Sequence, residues 1–206
     1  MIPLRPERLL VFLKVPRLGK VKTRIAAQVG DLLALECYHQ ILRATLEAID
    51  AIPEVEIRFA PDEAIDEASL LLRPNWTAVP QGGGNLGDRL ARATEFAFKA
   101  GYRKVVVIGS DCPEITAQDI FDAFAALEKA DLVLGPAKDG GYWLLGLRQP
   151  CPLLFQAIPW STAAVFTETC RRATEAGLQP VLLRELSDID TLENWRQWLK
   201  TVPFSN

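Results

Sequence analysis

The chain has 206 residues, of which 49% are hydrophobic and 24% are charged, and its formal net charge is −3 at pH 7. This composition is typical of a globular protein and excludes a disordered chain, and the charge gives no reason to expect binding to nucleic acid or to a membrane surface. The apolar run at 9–13 ends at Lys14, which is too short for a signal peptide or a transmembrane helix. We therefore expect one cytoplasmic domain over 1–206, and the sequence leaves its oligomeric state open.

Strands and helices alternate along the first part of the chain. The hydrophobic pattern predicts strands at 9–15, 55–59, 76–79, 105–108 and 131–134, and helices at 21–29, 32–49, 63–72, 87–100 and 116–129. This alternation is typical of a mostly parallel sheet that is covered by helices on both faces.

The alternation changes after Pro136. A tight turn is predicted at 139–141, an antiparallel strand at 142–147, a helix capped by Ser161-Thr162 that runs to 176, a strand at 180–183 and a last helix at 191–199. We therefore expect an α/β fold, a three-layer α/β/α sandwich with a mostly parallel, Rossmann-like central sheet and one antiparallel strand.

A carboxylate follows the most apolar strand of the chain. Residues 105–108 are all β-branched, and Asp111 comes shortly after them. In an open α/β sheet, ligands bind beyond the carboxyl ends of the strands, so Asp111 is placed to be a metal ligand or a catalytic carboxylate. The alternative is a helix cap, but Thr116 lies closer to the start of the next helix and suits that role better.

The loop after the first strand is strongly basic. No acid occurs between residues 14 and 30, and the cations there are Lys14, Arg17, Lys20, Lys22 and Arg24. A strand–loop–helix segment directs backbone N–H groups and the positive end of a helix toward a ligand, so added Lys and Arg side chains indicate a polyphosphate site. The loop lacks the glycine and Ser/Thr pattern of a P-loop. The alternative interpretation is a solvated basic face.

A glycine-rich stretch at 82–87 formally matches the G-x-G-x-x-G pattern of dinucleotide-binding proteins. One alternative function is therefore an NAD(P)-dependent oxidoreductase. Against it, the stretch does not lie in the first βαβ unit, and no acid ends the next strand at the required distance. The pattern still allows a ligand to approach the backbone closely, with Arg89 one turn into the following helix. A turn without function is the other alternative.

Two further regions carry polar side chains that suit a site. Asp188 and Asp190 are candidates for a second metal ligand beside Asp111, although Asp190 is also placed to cap the last helix. Asp139 precedes two glycines and could accept a hydroxyl proton or bind sugar hydroxyls. The alternative for 139–143 is a hairpin turn with aromatic side chains in the core.

Several stretches, taken in order and spacing, carry a resemblance to a known superfamily. They are Lys14-x-Pro16-x-x-Gly19-x-Val21-Lys22-Thr23-Arg24, Gln81 to Arg89, Gly109-Ser110-Asp111-x-Pro113, Asp139-Gly140-Gly141-Tyr142, Pro159-Trp160-Ser161-Thr162 and Asp188-x-Asp190-Thr191. Together they resemble the nucleotide-diphospho-sugar transferase superfamily, which has the GT-A-type fold. More narrowly, they resemble the bacterial family of arsenosugar-biosynthesis-type glycosyltransferases. The chain departs from that pattern at Asn85, where an acid is expected.

The resemblance implies a transferase that depends on Mg²⁺ or Mn²⁺ and uses a nucleotide sugar or an NTP. Glycosyl transfer to a small acceptor is the first expectation, because it is the family's usual label. Nucleotidyl transfer is the alternative, since the basic loop also resembles that of enzymes that guanylylate phospholactate-type substrates. A catalytically silent binding domain is a further alternative.

The resemblance also implies a role for each quoted residue. The catalytic residues would be Asp111, Asp139 and Lys22, and the metal ligands Asp111, Asp190 and Asp188. The nucleotide and its phosphates would contact Lys14, Gly19, Lys22, Thr23, Arg24, Gln81, Gly82, Gly84, Asn85, Gly87 and Arg89. The acceptor would contact Gly140, Gly141, Tyr142, Trp160, Ser161 and Thr162.

Overall fold

The computed structural model describes residues 5–201, and these form seven strands and seven α-helices. The strands are β1 (Arg5–Lys14), β2 (Val55–Ala60), β3 (Thr77–Pro80), β4 (Tyr102–Gly109), β5 (Leu132–Pro136), β6 (Tyr142–Leu147) and β7 (Pro180–Leu182). The helices are α1 (Thr23–Val29), α2 (Asp31–Ala48), α3 (Ile65–Ser69), α4 (Leu86–Lys99), α5 (Ala117–Ala126), α6 (Val165–Glu175) and α7 (Leu192–Leu199). A short 3₁₀-helix spans Pro152–Phe155.

All seven strands form one sheet in the order β3-β2-β1-β4-β6-β5-β7. Strand β6 pairs antiparallel with both β4 and β5, whereas the other pairs in the described residues are parallel. The predicted fold, including the antiparallel strand, is confirmed. The reason is the short connection at 137–141, which can join β5 to β6 as a hairpin but is too short for a parallel crossover.

The central strands are apolar throughout because helices cover both faces of the sheet. Leu9 and Val11 of β1 belong to one core layer, and Leu10 and Phe12 to the other. In β4, Val105 to Ile108 are likewise buried on both faces. This layering aligns the carboxyl ends of the central strands, and Phe12 of β1 lies in register with Gly109 of β4.

The starts of helices α6 and α3 differ from those predicted from the sequence. Helix α6 begins at Val165, with Ala164 at its N-cap and no side-chain cap, so Ser161 and Thr162 do not cap it. The Thr162 hydroxyl instead donates to the Pro159 carbonyl over 2.7 Å and closes a turn before the helix. Helix α3 is also shorter than the predicted 63–72, because the segments that flank it are irregular.

In the part of the chain that the structure describes, no helix has both the length and the apolar character that crossing a bilayer requires.

Candidate active site

One cavity of about 630 Å³ opens at the carboxyl ends of the central strands. It is lined by residues from the loops after β1, β3 and β4, and by the segment that precedes α7. The predicted site residues that line it are Lys14, Lys22, Thr23, Arg24, Gln81, Gly84, Asn85, Arg89, Asp111, Ser161 and Asp190. The basic loop, the glycine-rich loop and the carboxylate after β4 therefore face the same space.

Lys22 joins the basic loop to the loop after β4 and to the segment before α7. Its Nζ lies 2.7 Å from Asp111 Oδ1 and 3.5 Å from Asp190 Oδ1, and it donates to the Ile189 carbonyl over 2.5 Å. The Lys22 side chain is only 5% exposed, whereas that of Asp111 is 47% exposed. The Lys22 side chain is thus largely buried, whereas the Asp111 carboxylate that it contacts is about half exposed.

Asp190 contributes to the site rather than to a helix cap. Thr191 is the N-cap of α7, and its hydroxyl accepts a hydrogen bond from the Asn194 amide over 3.2 Å. The Asp190 carboxylate points instead toward the basic loop, where Arg24 Nη1 lies 3.4 Å from Oδ2. The alternative of Asp190 as the cap is therefore wrong, and Thr116 caps α5 in the same way.

Asp188 lies deeper than the other two carboxylates and is not part of the cavity lining. Its burial, together with the nearby charges of Asp111, Asp139 and Asp190, raises the pKa of Asp188 to about 7, and Lys22 opposes that rise. Asp188 thus lies close enough to the other three acids for their charges to disfavour its ionised form. Among residues 5–201, no three His, Cys, Asp or Glu side chains are already grouped closely enough to hold a metal ion.

Tyr38 of α2 supports the end of β1 from below. Its hydroxyl donates to the Lys14 carbonyl over 2.8 Å and accepts from the Lys14 amide over 3.2 Å. It also lies 3.2 Å from the Ser110 hydroxyl. Burial, with a smaller contribution from Asp111, raises the pKa of Tyr38. Tyr38 and Ser110 were not predicted as site residues, because a tyrosine on the apolar face of a helix gives no signal that distinguishes it from an ordinary core residue.

The cation cluster of the basic loop has a structural part and a cavity-facing part. Arg17 forms ion pairs with Glu63 and Glu67 around α3, which anchors the loop. Lys14, Lys22 and Arg24 line the cavity. Gly19 lies outside the lining, and its left-handed φ of 70° places the turn against Asp31.

The glycine-rich loop is held in place by Gln81 at its start and by Arg89 and Arg92 of α4. Gln81 Nε2 donates to the Leu13 and Arg58 carbonyls over 3.1 and 2.9 Å, and Gln81 Oε1 accepts from Arg89 Nη1 over 3.1 Å. Arg92 Nη2 donates to the Gln81 and Gly83 carbonyls over 2.6 and 2.8 Å. Arg92 was not predicted, since nothing in the sequence shows that it points back to the loop.

Asn85 begins α4 and forms a capping box with Asp88. The Asn85 side chain accepts from the Asp88 amide over 3.1 Å, and the Asp88 carboxylate accepts from the Asn85 amide over 2.9 Å. This explains why the position tolerates an amide where the resemblance led us to expect an acid. The loop follows the edge strand β3 rather than the central β1, which is not the dinucleotide-binding arrangement.

The geometry can be compared with known proteins. Residues 44–162 match the model of the family described as "Uncharacterized protein conserved in bacteria (DUF2064)". The chain belongs to the DUF2064 family. The matched residues include the glycine-rich loop, Asp111 and the turn at 139–141, and they exclude the basic loop and Asp188 and Asp190.

Two curated relatives of this DUF2064 protein are named phosphoenolpyruvate guanylyltransferase. The one from Chloroflexus aggregans is 28% identical over 201 residues, which cover 91% of this chain and 95% of the relative. The one from Sphaerobacter thermophilus is 29% identical over 187 residues, which cover 86% of both chains.

A solved structure shows the same fold. A protein of Desulfovibrio desulfuricans G20, described as a nucleotide-diphospho-sugar transferase, is 32% identical, with a TM-score of 0.88 over 97% of this chain and 89% of that chain. The comparisons confirm the predicted nucleotide-diphospho-sugar transferase fold. They also confirm that this DUF2064 protein is an enzyme of the transferase class.

Of the residues expected at the acceptor side, only Ser161 lines the cavity in the described part of the chain. Asp139 Oδ1 accepts from the Gly141 amide over 2.8 Å, which closes the turn before β6. Gly140 has a φ of 89°, and a Cβ there would lie 2.2 Å from the Ala163 carbonyl oxygen, so this turn packs directly on the segment before α6.

Two aromatic residues stand behind that turn in the DUF2064 protein. The Tyr142 and Trp160 rings meet edge to face with centroids 6.4 Å apart. The Tyr142 hydroxyl is buried without a hydrogen-bond partner among the described residues, and burial raises its pKa. Gly82, Gly87 and Thr162 also lie outside the cavity lining. Gly87 makes close packing possible, because a Cβ there would lie 2.8 Å from Trp160 Nε1.

Proposed function

We propose that the protein is a nucleotidyltransferase that transfers the nucleoside monophosphate of an NTP to a small phosphate-bearing acceptor. GTP is the first candidate for the donor, because both curated relatives are named guanylyltransferases. The observation that carries the proposal is that the basic loop, the glycine-rich loop and Asp111 line one cavity. Cytoplasmic location is part of the same proposal, since nucleoside triphosphates are found there.

The cavity has the dimensions and charges that a nucleoside triphosphate requires. Its volume of about 630 Å³ lies within the usual range for small-molecule sites. Lys14, Arg24 and Arg89 face the space from two sides, and the start of α4 directs the positive end of its dipole toward it. We place the triphosphate between the basic loop and the glycine-rich loop, where Thr23 and Gly84 would approach it closely.

In the proposed reaction, an oxygen of the acceptor phosphate attacks the α-phosphorus of the NTP. A new P–O bond forms, the bond between the α-phosphorus and the bridging oxygen breaks, and pyrophosphate leaves with that oxygen and the electron pair. Catalysis then consists of positioning and charge stabilisation. Lys22 and Arg24 would stabilise the negative charge that develops on the phosphates, because both side chains are positively charged and line the cavity.

The carboxylates of the site fit a divalent cation that is shared with phosphates. Mg²⁺ and Mn²⁺ prefer oxygen ligands, and one or two protein carboxylates suffice when phosphates provide others. Asp111 would hold the cation together with Asp190, which contacts the same Lys22 ammonium group, or with Asp188, which lies near enough for the charges of both to raise its pKa. When bound, the cation would neutralise charge on the triphosphate and on the departing pyrophosphate.

The acceptor would enter from the side of Ser161. The turn at 139–141 and the Tyr142–Trp160 pair would form the wall behind it, with Asp139 within reach of acceptor hydroxyls. The unpartnered Tyr142 hydroxyl supports this placement, because a buried hydroxyl without a partner is costly unless a ligand or water satisfies it.

Glycosyl transfer from a nucleotide sugar is the second candidate. The similarity to the Desulfovibrio desulfuricans protein favours it. It would use the same nucleotide site, but an acceptor hydroxyl would attack the sugar carbon and a nucleoside diphosphate would leave.

The two candidates release different products, so one experiment separates them. The protein is incubated with Mg²⁺ and each of the four NTPs in the presence of phosphoenolpyruvate or a hexose 1-phosphate, and pyrophosphate is measured. In parallel, nucleotide sugars are offered with hydroxylated acceptors, and nucleoside diphosphate is measured. Acceptor-dependent pyrophosphate that disappears in Asp111→Asn supports nucleotidyl transfer. Diphosphate release alone supports glycosyl transfer and refutes the proposal.

A further inference from the structure

Lys22 has a contact set that is unusual for a residue expected to bind phosphate. Its ammonium group is bound to Asp111, to Asp190 and to the Ile189 carbonyl oxygen. All three partners are oxygens, and two are the carboxylates that the proposed function assigns to a divalent cation. The lysine therefore occupies the position where a cation would be expected.

The backbone of Lys22 has its own constraints, which are separate from the contacts of its side chain. Its φ and ψ of 46° and 45° place it in the left-handed region, at the N-cap of α1. Its carbonyl oxygen accepts hydrogen bonds from the Ile25 and Ala26 amides, both at 2.9 Å. Left-handed backbone at a residue with a side chain is costly and persists where the surroundings fix it, often at functional sites. The side chain can thus change partner while its backbone stays in place.

Two carboxylates lie around the buried Lys22 ammonium group, and Arg24, which also pairs with one of them, is exposed. Lys22 Nζ is the buried cation that Asp111 and Asp190 share, and Arg24, which also reaches Asp190, has a side chain that is 72% exposed. Removal of the Lys22 charge would leave the Asp111 and Asp190 carboxylates near each other without a buried counter-ion. Neighbouring carboxylate oxygens attract divalent cations.

We propose that Lys22 is an internal counter-ion that keeps free divalent cations out of the carboxylate cluster until a nucleotide arrives. A cation bound to Asp111 and Asp190 would lie within a few ångströms of the ammonium group, and the two positive charges repel each other. A triphosphate supplies new oxygen partners for Lys22 Nζ, so the lysine can release the carboxylates when the metal and the nucleotide bind together. This inference rests on the proposed nucleotide site.

We predict that Lys22→Gln raises the affinity for Mn²⁺ and lowers the affinity for the nucleotide. Without nucleotide, Lys22→Gln should bind Mn²⁺ at least about tenfold more tightly than the wild type, because a repelling charge is removed. With a non-hydrolysable GTP analogue present, the same variant should bind the analogue at least about tenfold more weakly, because a phosphate contact is lost. A lysine with a purely structural role would not produce this reversal.

The first arm measures Mn²⁺ binding to the full chain by electron paramagnetic resonance, without nucleotide. Lys20→Gln is the matched control: Lys20 is an exposed lysine of the same loop that lies outside the cavity lining, and its substitution should leave Mn²⁺ affinity unchanged. Lys22→Met gives a second charge-removing variant if Lys22→Gln unfolds, and Lys22→Arg, which keeps the charge, should bind Mn²⁺ as weakly as the wild type. Thermal melts establish that each variant is folded.

Unchanged or weaker Mn²⁺ binding in both Lys22→Gln and Lys22→Met overturns the inference, as does tighter binding of equal size in Lys20→Gln. The metal arm contains no nucleotide, so it can be read even if the enzyme turns over no NTP. Failure of the proposed function is seen separately, as absence of acceptor-dependent pyrophosphate release by the wild type.

Discussion

The Arg89 guanidinium donates a hydrogen bond to the Gln81 side-chain oxygen over 3.1 Å, which connects α4 to the end of β3. Gln81 is buried, and its amide nitrogen serves the carbonyls of Leu13 and Arg58 on the two neighbouring strands. One glutamine thus fixes the relative positions of three strand ends and the glycine-rich loop. Its side-chain nitrogen and oxygen both have protein partners, which favours a positioning role for Gln81.

We predict that Gln81→Met lowers stability and raises the KM for the nucleotide more than it lowers kcat. The substitution keeps the volume but removes the hydrogen bonds that the Gln81 side chain makes to two carbonyls and to Arg89, which costs about 1–3 kcal/mol. Urea unfolding and steady-state kinetics measure the two effects. Gln156→Met is the control, because Gln156 is exposed. A fall in kcat at constant KM would contradict a positioning role.

Gly87 is predicted to be required for packing rather than for backbone conformation. In Gly87→Ala the new Cβ would lie 2.4 Å from the Phe155 carbonyl oxygen, and we expect a loss of about 1–3 kcal/mol of stability. Gly83→Ala is the matched control, since nothing lies within 4 Å of a Cβ there. Equal melting temperatures for the two variants would show that the contact between α4 and the 3₁₀-helix is not tight.

Substitutions at two adjacent residues before α7, Asp190 and Thr191, should have different effects: one on turnover and the other on stability. Thr191→Ala removes the helix cap and should cost about 1 kcal/mol with little effect on turnover. Asp190→Asn should leave stability almost unchanged and reduce turnover at least about tenfold, because it weakens a proposed metal ligand. Denaturant unfolding and initial rates measure both variants. If Asp190→Asn is destabilised and remains active, Asp190 is structural.

The fold was predictable from the sequence because it depends on local periodicity. The buried run Val105 to Ile108 and the short connection before β6 were enough to predict a parallel sheet with one antiparallel strand. The ends of helices were less predictable, because several Ser, Thr and Asp residues compete for each cap. At the start of α7, Thr191 takes the cap that Asp190 could also have taken.

The site could be predicted as a set of residues but not as a set of contacts. Lys22 and Asp111 both carry obvious chemistry, yet their ion pair depends on the register between β1 and β4, which local patterns do not give. Tyr38 and Arg92 gave no signal, because each reaches the site from a helix that also packs on the core. The contacts that shape the cavity are thus mostly long-range.

An ion pair behind the site should set the acid stability of the α5 region. Arg184 Nε and Nη2 both lie 2.7 Å from the Asp119 carboxylate. Burial alone would raise the pKa of Asp119, but hydrogen bonds from Arg184 and Thr116 outweigh it, so that pKa lies below its ordinary value. A carboxyl group with a lowered pKa in the folded state stabilises the protein above its unfolded-state pKa, near 4, and this contribution is lost as the pH falls through the folded value.

We therefore expect Asp119→Asn to lose about 1–3 kcal/mol of stability at pH 7 and progressively less below about pH 4. Urea unfolding of the wild type and the variant between pH 2 and pH 7 tests this. Asp122→Asn on the exposed side of α5 is the control. A difference that stays constant across that range would show that the effect of Asp119 does not depend on its charge.

A crystal structure with Mg²⁺ and a non-hydrolysable GTP analogue is the most direct test of the proposed nucleotide site. We expect a triphosphate between the basic loop and the glycine-rich loop, with Lys22 Nζ and Arg24 at phosphate oxygens and the cation on Asp111. Lys22 Nζ, which lies 2.7 Å from Asp111 Oδ1 in the structure described above, should then no longer contact Asp111. A nucleotide bound elsewhere, or one bound in this cavity with its phosphates directed away from Lys22 and Asp111, would contradict the account.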